Sequence, residues 1–188
     1  MLQIVIDGAE LYDDEKNEFY SVEKTILNLE HSLVSISKWE AKYHKPFFDS
    51  MEKSLSTAET LDYIKFMTLN ENVPETVYFF LSKEQIDKIV AYIDNPMTAT
   101  TFQDYNKNEN KVGYGKREII TSEVIYYWMV SLEIPFECEN WHINRLITLI
   151  RVCSIKNASG NPSSKMNKKE TLAFNRALMA SRRKKGGH

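Results

Sequence analysis

Helix-start signatures recur three times in this chain and constrain its fold more than any other feature. Ser37–Glu40, Ser56–Glu59 and Ser82–Gln85 each place a serine three residues before a Glu or Gln. In this capping box the serine oxygen accepts a backbone proton of the first turn, and the Glu or Gln accepts the proton of the serine amide. The third signature precedes apolar residues with the spacing of one helix face: Ile86, Ile89, Val90 and Ile93. The sequence therefore predicts a body built mainly of α-helices.

The clearest amphipathic pattern lies in NWHINRLITLIRVCSI, residues 140–155. One face of the predicted helix carries Ile143, Leu146, Ile147, Ile150 and Cys153. The residues that fall largely outside this face are His142, Asn144, Thr148 and Arg151. Upstream, the apolar run Val124–Val130 fits a buried strand or a buried helix. Cap candidates at Thr121 and Ser122 and a stop at Pro135 favour the helix.

Strand-like segments are short and lie first at the start of the chain. LQIVI (2–6) is β-branched and ends at Asp7-Gly8, which predicts a strand and a turn. KTILNL (24–29) predicts a second strand, and DDEKNE (13–18) between them predicts a charged loop. HSLVSI (31–36) fits a strand or a helix, because its periodicity does not decide between them.

A β-hairpin is predicted in the middle of the chain. MTATTF (97–102) and REII (117–120) have the composition of strands, and a polar segment with two glycines separates them as a long tip. Together with the helical patterns, these strands place the chain in the α+β class. We expect a predominantly α-helical body with a small β-hairpin or sheet element and a C-terminal basic helical arm.

The C-terminal part of the chain differs in composition from the rest. KNASGNPSSK (156–165) is rich in Asn, Ser, Gly and Pro, as linkers are. KETLAFNRALMASRRKK (169–185) predicts a last helix, but its apolar residues form no single stripe, and an isolated helix of this length is marginal in water. We therefore expect a mainly helical globular domain over 1–155, a linker over 156–165 and a basic C-terminal helix or flexible arm over 166–188.

Charge is distributed unevenly along the chain. Residues 156–188 hold nine Lys or Arg and one Glu, a net charge of +8, whereas residues 1–155 hold 15 basic and 25 acidic residues, a net charge of −10. A basic arm can neutralise phosphates. Nucleic acid would, however, repel the acidic body, and Phe174 is the one aromatic residue that the arm offers for stacking on bases. A solvated end, or an arm that docks on a protein surface, therefore ranks ahead of nucleic-acid binding.

The sequence carries no complete catalytic or metal-binding motif. It lacks the G-x-S-x-G, H-E-x-x-H, P-loop and G-x-G-x-x-G patterns. Cys138 and His142 have the spacing of two ligands on one helix face, but no second Cys/His pair completes a zinc site. The alternative is a small buried Cys138 and a surface His142 near a helix start, and Cys153 on its apolar face fits inert packing. We expect no enzyme activity, no metal, no cofactor and no small-molecule substrate.

The sequence carries few signals of the cellular compartment in which the protein works. Two cysteines are too few for a disulfide scaffold, which favours a reducing compartment. The first residues lack the basic region of a signal peptide, so none is expected. The longest apolar run is far shorter than a membrane span, so no membrane association is expected.

Aromatic residues of the second half are candidates for partner contact. They are Tyr126, Tyr127, Trp128, Phe136 and Trp141. Most should lie in the core because large rings bury the most area, but one or two can stay exposed and anchor an interface. Apolar and basic residues of the arm can dock on the same partner. The predicted partner-binding residues are Tyr127, Trp128, Trp141, Phe174, Leu178, Arg182, Arg183, Lys184 and Lys185.

Four segments resemble proteins of tailed bacteriophages that are described as tail assembly chaperones. They are SLVSISKWEAKYHKPF, TAETLDYIKFMTLN, ITSEVIYYWMVSLEIPFECENWHINRLITLIRVCSIKN and KETLAFNRALMASRR. The resemblance covers about residues 25–183, in order. It consists of packing residues and helix caps, and the family offers no agreed functional residues to carry over.

The resemblance implies a protein that binds the tape measure protein, keeps it soluble and assists assembly of the tail tube. It also implies a contact with the major tail protein, action in the cytoplasm of the infected bacterial host, and absence from the mature virion. Many such chaperones occur in two forms made by a programmed ribosomal slip, and Lys184-Lys185-Gly186 is compatible with a slippery A-rich codon run.

Two alternatives remain open beside the chaperone. One is a structural virion component, such as a head–tail connector or a minor tail protein. The other is a small DNA-binding accessory protein of the phage. The sequence also leaves the oligomeric state open, a homo-oligomer included.

Overall fold

The structure, a computed structural model, describes residues 1–14, 17–102 and 119–160. Its strands are β1 (Leu2–Ile6), β2 (Ala9–Asp13), β3 (Glu18–Val22) and β4 (Thr25–Leu29). Its α-helices are α1 (Leu33–Tyr43), α2 (Phe47–Glu52), α3 (Thr57–Met67), α4 (Lys83–Ile93), α5 (Ser122–Ser131) and α6 (Ile143–Gly160), and 3₁₀ helices span Glu75–Phe80 and Phe136–Asn140. The fold is α+β and mainly helical, as the sequence predicts. None of the helices in the described ranges is long and apolar enough to cross a membrane.

The strands form one antiparallel ribbon at the start of the chain. Leu2 faces Leu29 in the β1–β4 pair and Ala9 faces Val22 in the β2–β3 pair, so one register runs through both pairs. The ribbon is interrupted around Gly8, where a Cβ atom would lie 3.3 Å from the Val22 carbonyl oxygen. This close approach favours glycine. The inward residues Ile4, Ile6, Leu27 and Leu29 are buried, with the period of two that strands require.

Residues 67–70 cover the free edge of β4. Leu69 donates its N–H to the Asn28 carbonyl over 2.8 Å. The Asn70 side chain accepts from the Asn28 N–H at 2.7 Å and donates to the Ile26 carbonyl at 3.1 Å. An edge strand with open N–H and C=O groups would otherwise pair with another chain. The ribbon is thereby fixed to the end of α3.

Strand prediction is right at two places and wrong at others. The predicted strands 2–6 and 24–29 correspond to β1 and β4, but β2 and β3 were missed, and the two ends of the predicted loop 13–18, Asp13 and Glu18, are strand residues. Residues 97–102, all described, are not in a strand, and neither are Ile119 and Ile120. The Thr98 hydroxyl accepts the Thr100 N–H at 3.0 Å, a local bond that competes with strand pairing. The predicted hairpin tip lies outside the described residues.

Two of the three predicted helix caps are confirmed. Ser56 and Ser82 cap α3 and α4, and each forms both bonds of the capping box with the Glu or Gln three residues later. The signature at Ser37 is wrong, since α1 begins earlier with Ser32 as its cap and Ser35 as the reciprocal partner. The ambiguous segment 31–36 is therefore a helix start. Within α4, Ile89 is buried but Val90 is exposed, and Tyr92 lies in the core instead.

The helix α1 lies at the centre of the body, in contact with α2, α3 and α5. Its residues Leu33, Ile36 and Trp39 are fully buried. The predicted apolar face of α6 is confirmed: Ile143, Leu146, Ile147 and Ile150 are buried and Cys153 is partly buried. The helix continues to Gly160, so residues 156–160, predicted as the start of the linker, are helical. The other linker residues and the arm lie outside the described residues.

Glu40 joins three helices through one buried carboxylate. Its Oε1 accepts the Phe47 N–H at 2.8 Å, and its Oε2 accepts the Ser122 N–H at 2.7 Å and the Ser122 hydroxyl at 2.6 Å. Phe47 and Ser122 are the first residues of α2 and α5, and neither preceding residue, Pro46 or Thr121, accepts a backbone N–H of the helix start through its side chain. Hydrogen bonds to a carboxylate are stronger than neutral ones, and a negative charge is favourable at a helix N-terminus. Glu40 thus acts as the cap of both helices.

Glu40→Gln should lower the free energy of unfolding by about 2 kcal/mol. The amide removes the charge, and its NH₂ group, which replaces one of the two carboxylate oxygens, cannot accept the N–H of the helix start that it faces. Urea denaturation should show a lower midpoint at an unchanged slope. Glu84→Gln, an exposed site in the first turn of α4, is the matched control and should change stability by less than about 0.5 kcal/mol. Equal midpoints for the two variants would contradict the role of Glu40.

Candidate functional site

A buried polar cluster lies where α1 and α6 begin side by side. Ser32 and His142 form an antiparallel bridge, and the Ile143 N–H donates to the His31 carbonyl over 2.7 Å. The His31 and His142 rings meet edge to face, with 5.0 Å between their centroids. His142 is buried, so the prediction that it lies on the surface is wrong. Its position at the helix start, rather than on a helix face, brings it into the junction.

Hydrogen bonds define the protonation of His142. Its Nε2 lies 3.0 Å from the Tyr92 carbonyl oxygen, which can only accept, and its Nδ1 accepts the Asn144 N–H at 3.3 Å. The ring is therefore neutral with its proton on Nε2. The Tyr92 hydroxyl donates to Glu30 Oε1 at 2.7 Å, which continues the network to the end of the ribbon.

The other half of the cluster surrounds His31. Its Nδ1 shares a hydrogen bond with the Tyr63 hydroxyl, which also lies 3.3 Å from the Ser35 hydroxyl. Burial, and secondarily the neighbouring His142, lowers the pKa of His31 to about 3. Burial also lowers the pKa of His142 and raises that of Tyr63. Both histidines are neutral at physiological pH, and their bonds serve to join α1, α3, α4 and α6.

The cluster does not supply the metal ligands that the Cys138–His142 spacing allowed. Cys138 is buried, as predicted for a packing residue, and burial raises the pKa of its thiol. Both ring nitrogens of His142 are already used in hydrogen bonds. Over residues 1–14, 17–102 and 119–160, no three His, Cys, Asp or Glu side chains are grouped as a metal site.

The second candidate site is an exposed surface formed by α5 and the 3₁₀ helix that follows it. Tyr127, Val130 and Phe136 are 58%, 59% and 56% exposed. Val130 follows Tyr126 by four residues and Tyr127 by three, so the three side chains are neighbours on α5. Tyr126 is half-buried and connects the two elements, because its ring lies 6.4 Å from that of Phe136 and its hydroxyl donates to Glu139 at 2.8 Å.

Acidic residues accompany these apolar side chains. They are Glu123, Glu133, Glu137 and Glu139. Residues 119–144 contain no Lys or Arg, so the segment has a net charge of −4. Hydrogen bonds around Glu123 lower the pKa of its carboxyl, which keeps it ionised. We call the exposed Tyr127, Val130 and Phe136, together with these four glutamates, the α5 surface.

The predicted partner-binding residues differ in how far the structure exposes them. Tyr127 is exposed on the α5 surface, whereas Trp128 is 3% exposed and lies in the core, so its prediction as a partner contact is wrong. Adjacent residues of a helix point about 100° apart, and Trp128 falls on the inner side with Ile125. Trp141 is half-buried, and the Arg145 guanidinium lies 4.1 Å from its ring centroid. Phe174, Leu178 and the run Arg182–Lys185 lie outside the described residues.

Sequence reasoning named Phe136 among the aromatic candidates but not among the predicted partner-binding residues, and it missed Val130 and the four glutamates. The i, i+3 spacing from Tyr127 to Val130 and the lack of basic residues over 119–144 were signals that could have found them. A second apolar site lies on the ribbon, where Tyr12 and Phe19 are 43% and 74% exposed and their rings are 4.6 Å apart. These two residues pair across β2 and β3 and partly cover each other.

No protein-family model, curated protein or solved structure matches this chain.

The buried His31 predicts a loss of stability on mild acidification. Its pKa is about 3 in the folded protein and about 6.5 in the unfolded chain, so the unfolded chain binds the proton first. The stabilisation is complete above pH 6.5 and decreases as the pH falls below it, by about 2 kcal/mol between pH 7 and pH 5. His142, whose pKa is also lowered, acts in the same direction.

The measurement is the unfolding free energy by urea at pH 7, 6 and 5, above the range in which carboxylates titrate. His31→Gln should reduce the pH dependence by about 2 kcal/mol, whatever its absolute stability. Parallel pH profiles for the parent and His31→Gln would contradict the buried neutral state of His31.

Proposed function

We propose that this chain is a tail assembly chaperone of a tailed bacteriophage, and that its α5 surface binds helices of the tape measure protein. The observation that carries the proposal is the α5 surface itself, where Tyr127, Val130 and Phe136 are each more than half exposed on a helical body. The resemblance of residues 25–183 to such chaperones supports the identity of the partner.

An amphipathic helix is the partner that fits this surface best. Exposed aromatic and aliphatic residues on a rigid framework commonly receive the apolar stripe of such a helix. α5 is rigid because Glu40 holds its first turn and Ile125, Trp128 and Met129 anchor its inner side. A long helical protein exposes its apolar stripe until its assembly partners surround it, so covering the stripe prevents aggregation.

The small number of exposed apolar residues also fits a reversible contact. Tube subunits have to replace the chaperone on the tape measure protein, and interfaces of small area are typical of transient complexes. Many copies bound along one partner would add their contributions, so each contact can stay weak.

The glutamates of the α5 surface give the contact selectivity. They attract Lys and Arg next to the partner's apolar stripe and repel acidic segments. The same charges keep the α5 surfaces of two chaperone copies apart, so the apolar residues are not buried between copies.

A chaperone of this kind also has a defined compartment, a second partner and a second contact. The protein works in the cytoplasm of the infected host without catalysis or cofactor, with the major tail protein as a second partner and residues 166–188 as a second contact. It is absent from washed particles, whereas a head–tail connector or a minor tail protein would remain in them.

Co-expression with the tape measure protein tests the α5 surface. Phe136→Ser should reduce the amount of soluble tape measure protein by about fivefold, since an aromatic anchor contributes roughly 1 kcal/mol or more to binding. Its matched control is Phe79→Ser, because Phe79 is 55% exposed and also lies in a 3₁₀ helix, Glu75–Phe80.

Phe79→Ser should recover as much soluble tape measure protein as the parent. Thermal melting of both purified variants verifies that their folds are retained. An equal loss of soluble partner in the two variants, or no loss in either, would contradict binding at the α5 surface.

A further inference from the structure

We propose that in the free protein the α5 surface is covered by the chain's own basic segment, residues 166–185. The inference rests on the proposed function in one respect, namely that the same surface later receives the partner helix. Three properties of the segment favour this docking: its charge, its apolar residues and its reach.

Charge complementarity is the first argument. The α5 surface carries four glutamates, and residues 119–144 contain no Lys or Arg. Residues 166–185 contain seven Lys or Arg and one Glu, and four of the basic residues are consecutive, at 182–185. Opposite charges concentrated on two parts of one chain attract each other at the high effective concentration that a short tether gives.

Apolar complementarity is the second argument. Phe174 and Leu178 are four residues apart and share one side of the predicted helix. The segment has too few apolar residues to form a core of its own, and a helix of this length is marginal in isolation. Tyr127, Val130 and Phe136 offer exposed apolar side chains on which these two residues can pack. Docking would remove apolar area from water on both sides.

The reach of the segment is the third argument. α6 begins three residues after the 3₁₀ helix of the α5 surface, packs against that helix, and runs for 18 residues, about 27 Å. Residues 161–165 can span up to about 17 Å as an extended chain, and residues 166–185 are about 30 Å long as a helix. These lengths are sufficient for the segment to reach the α5 surface of the same molecule by a return path antiparallel to α6.

The consequence is a competition at one surface. A partner helix has to displace the chain's own segment, so the free chaperone does not expose its apolar residues and the partner's affinity is reduced by the docked fraction. Displacement also releases the basic segment, which then becomes available to contact the partner elsewhere.

Carbodiimide cross-linking of the full-length protein tests the proposal without any partner. This reagent joins carboxylates and lysine amines that are in contact, and a mixture of ¹⁴N- and ¹⁵N-labelled protein separates links within one chain from links between chains. We expect links within one chain from Lys168, Lys169, Lys184 or Lys185 to glutamates 123, 133, 137 and 139. Their yield should fall as NaCl is raised, because exposed charges are screened beyond about 8 Å at physiological salt.

A paired substitution in the segment separates docking from loose electrostatic attraction. Phe174→Ser with Leu178→Ser retains every amine and every carboxylate, and should lower the yield of these links about tenfold. Asn175→Ser in the same segment is the control and should leave the yield unchanged.

Three results would overturn the proposal. They are mixed-isotope links, which would show docking on a second copy; links spread evenly over other exposed acids such as Glu71 and Glu84; and an unchanged yield in the double variant. Because the tape measure protein is absent, none of these results bears on whether the α5 surface binds it.

Discussion

A single buried carboxylate, that of Glu40, holds together parts of the chain that are distant in sequence. It caps α5 through Ser122, 82 residues away, and α2 through Phe47, while its own helix α1 lies at the centre of the body. A carboxylate in the interior is unfavourable unless its oxygens are hydrogen-bonded, and here three donors surround it. The orientation of α5, and with it the surface that α5 presents, depends on this contact. The histidine junction between α1 and α6 performs the same task at the opposite end of α1 through neutral groups.

Helix caps and helix faces could be predicted where they depend only on residues that are close in sequence. The caps at Ser56 and Ser82 need only residues three positions apart, and the apolar face of α6 needs only a period of 3.6, so both could be predicted. The cap at Ser37 failed because Glu40 is bound to α2 and α5, a long-range contact that no window around Ser37 contains. Likewise, His142 is polar by type but is buried by its bonds to Tyr92 and Asn144.

In the ribbon and at the candidate surface, too, the features that depend on long-range contacts could not be predicted from the sequence. β2 and β3 lack a clear apolar alternation, and they become strands because they continue the register of β1 and β4. The run Val124–Val130 indicated a buried element but not which side faces outward, so Trp128 was assigned to the partner and Val130 was not. Only the packing of α5 on α1 distinguishes the inner from the outer residues.

The proposed chaperone combines a rigid acidic body with a basic segment in one chain. The body offers apolar residues within a negative field, and the segment offers apolar residues within a positive one. In this proposal, one surface is covered by its own chain or by a partner helix, depending on which is present. Charge would then give the contact its selectivity, and the few exposed apolar residues would keep it small and therefore reversible.

Hydrogen–deuterium exchange of the double variant Phe174→Ser, Leu178→Ser, in which the chain's own segment leaves the α5 surface uncovered, locates the contact directly when it is measured with and without bound tape measure protein. Amide exchange should slow on binding in peptides that cover residues 122–141, and it should remain unchanged in the ribbon over residues 2–29. Slower exchange confined to the ribbon, or no change over 122–141 while the tape measure protein is bound, would show that the α5 surface is not the binding site.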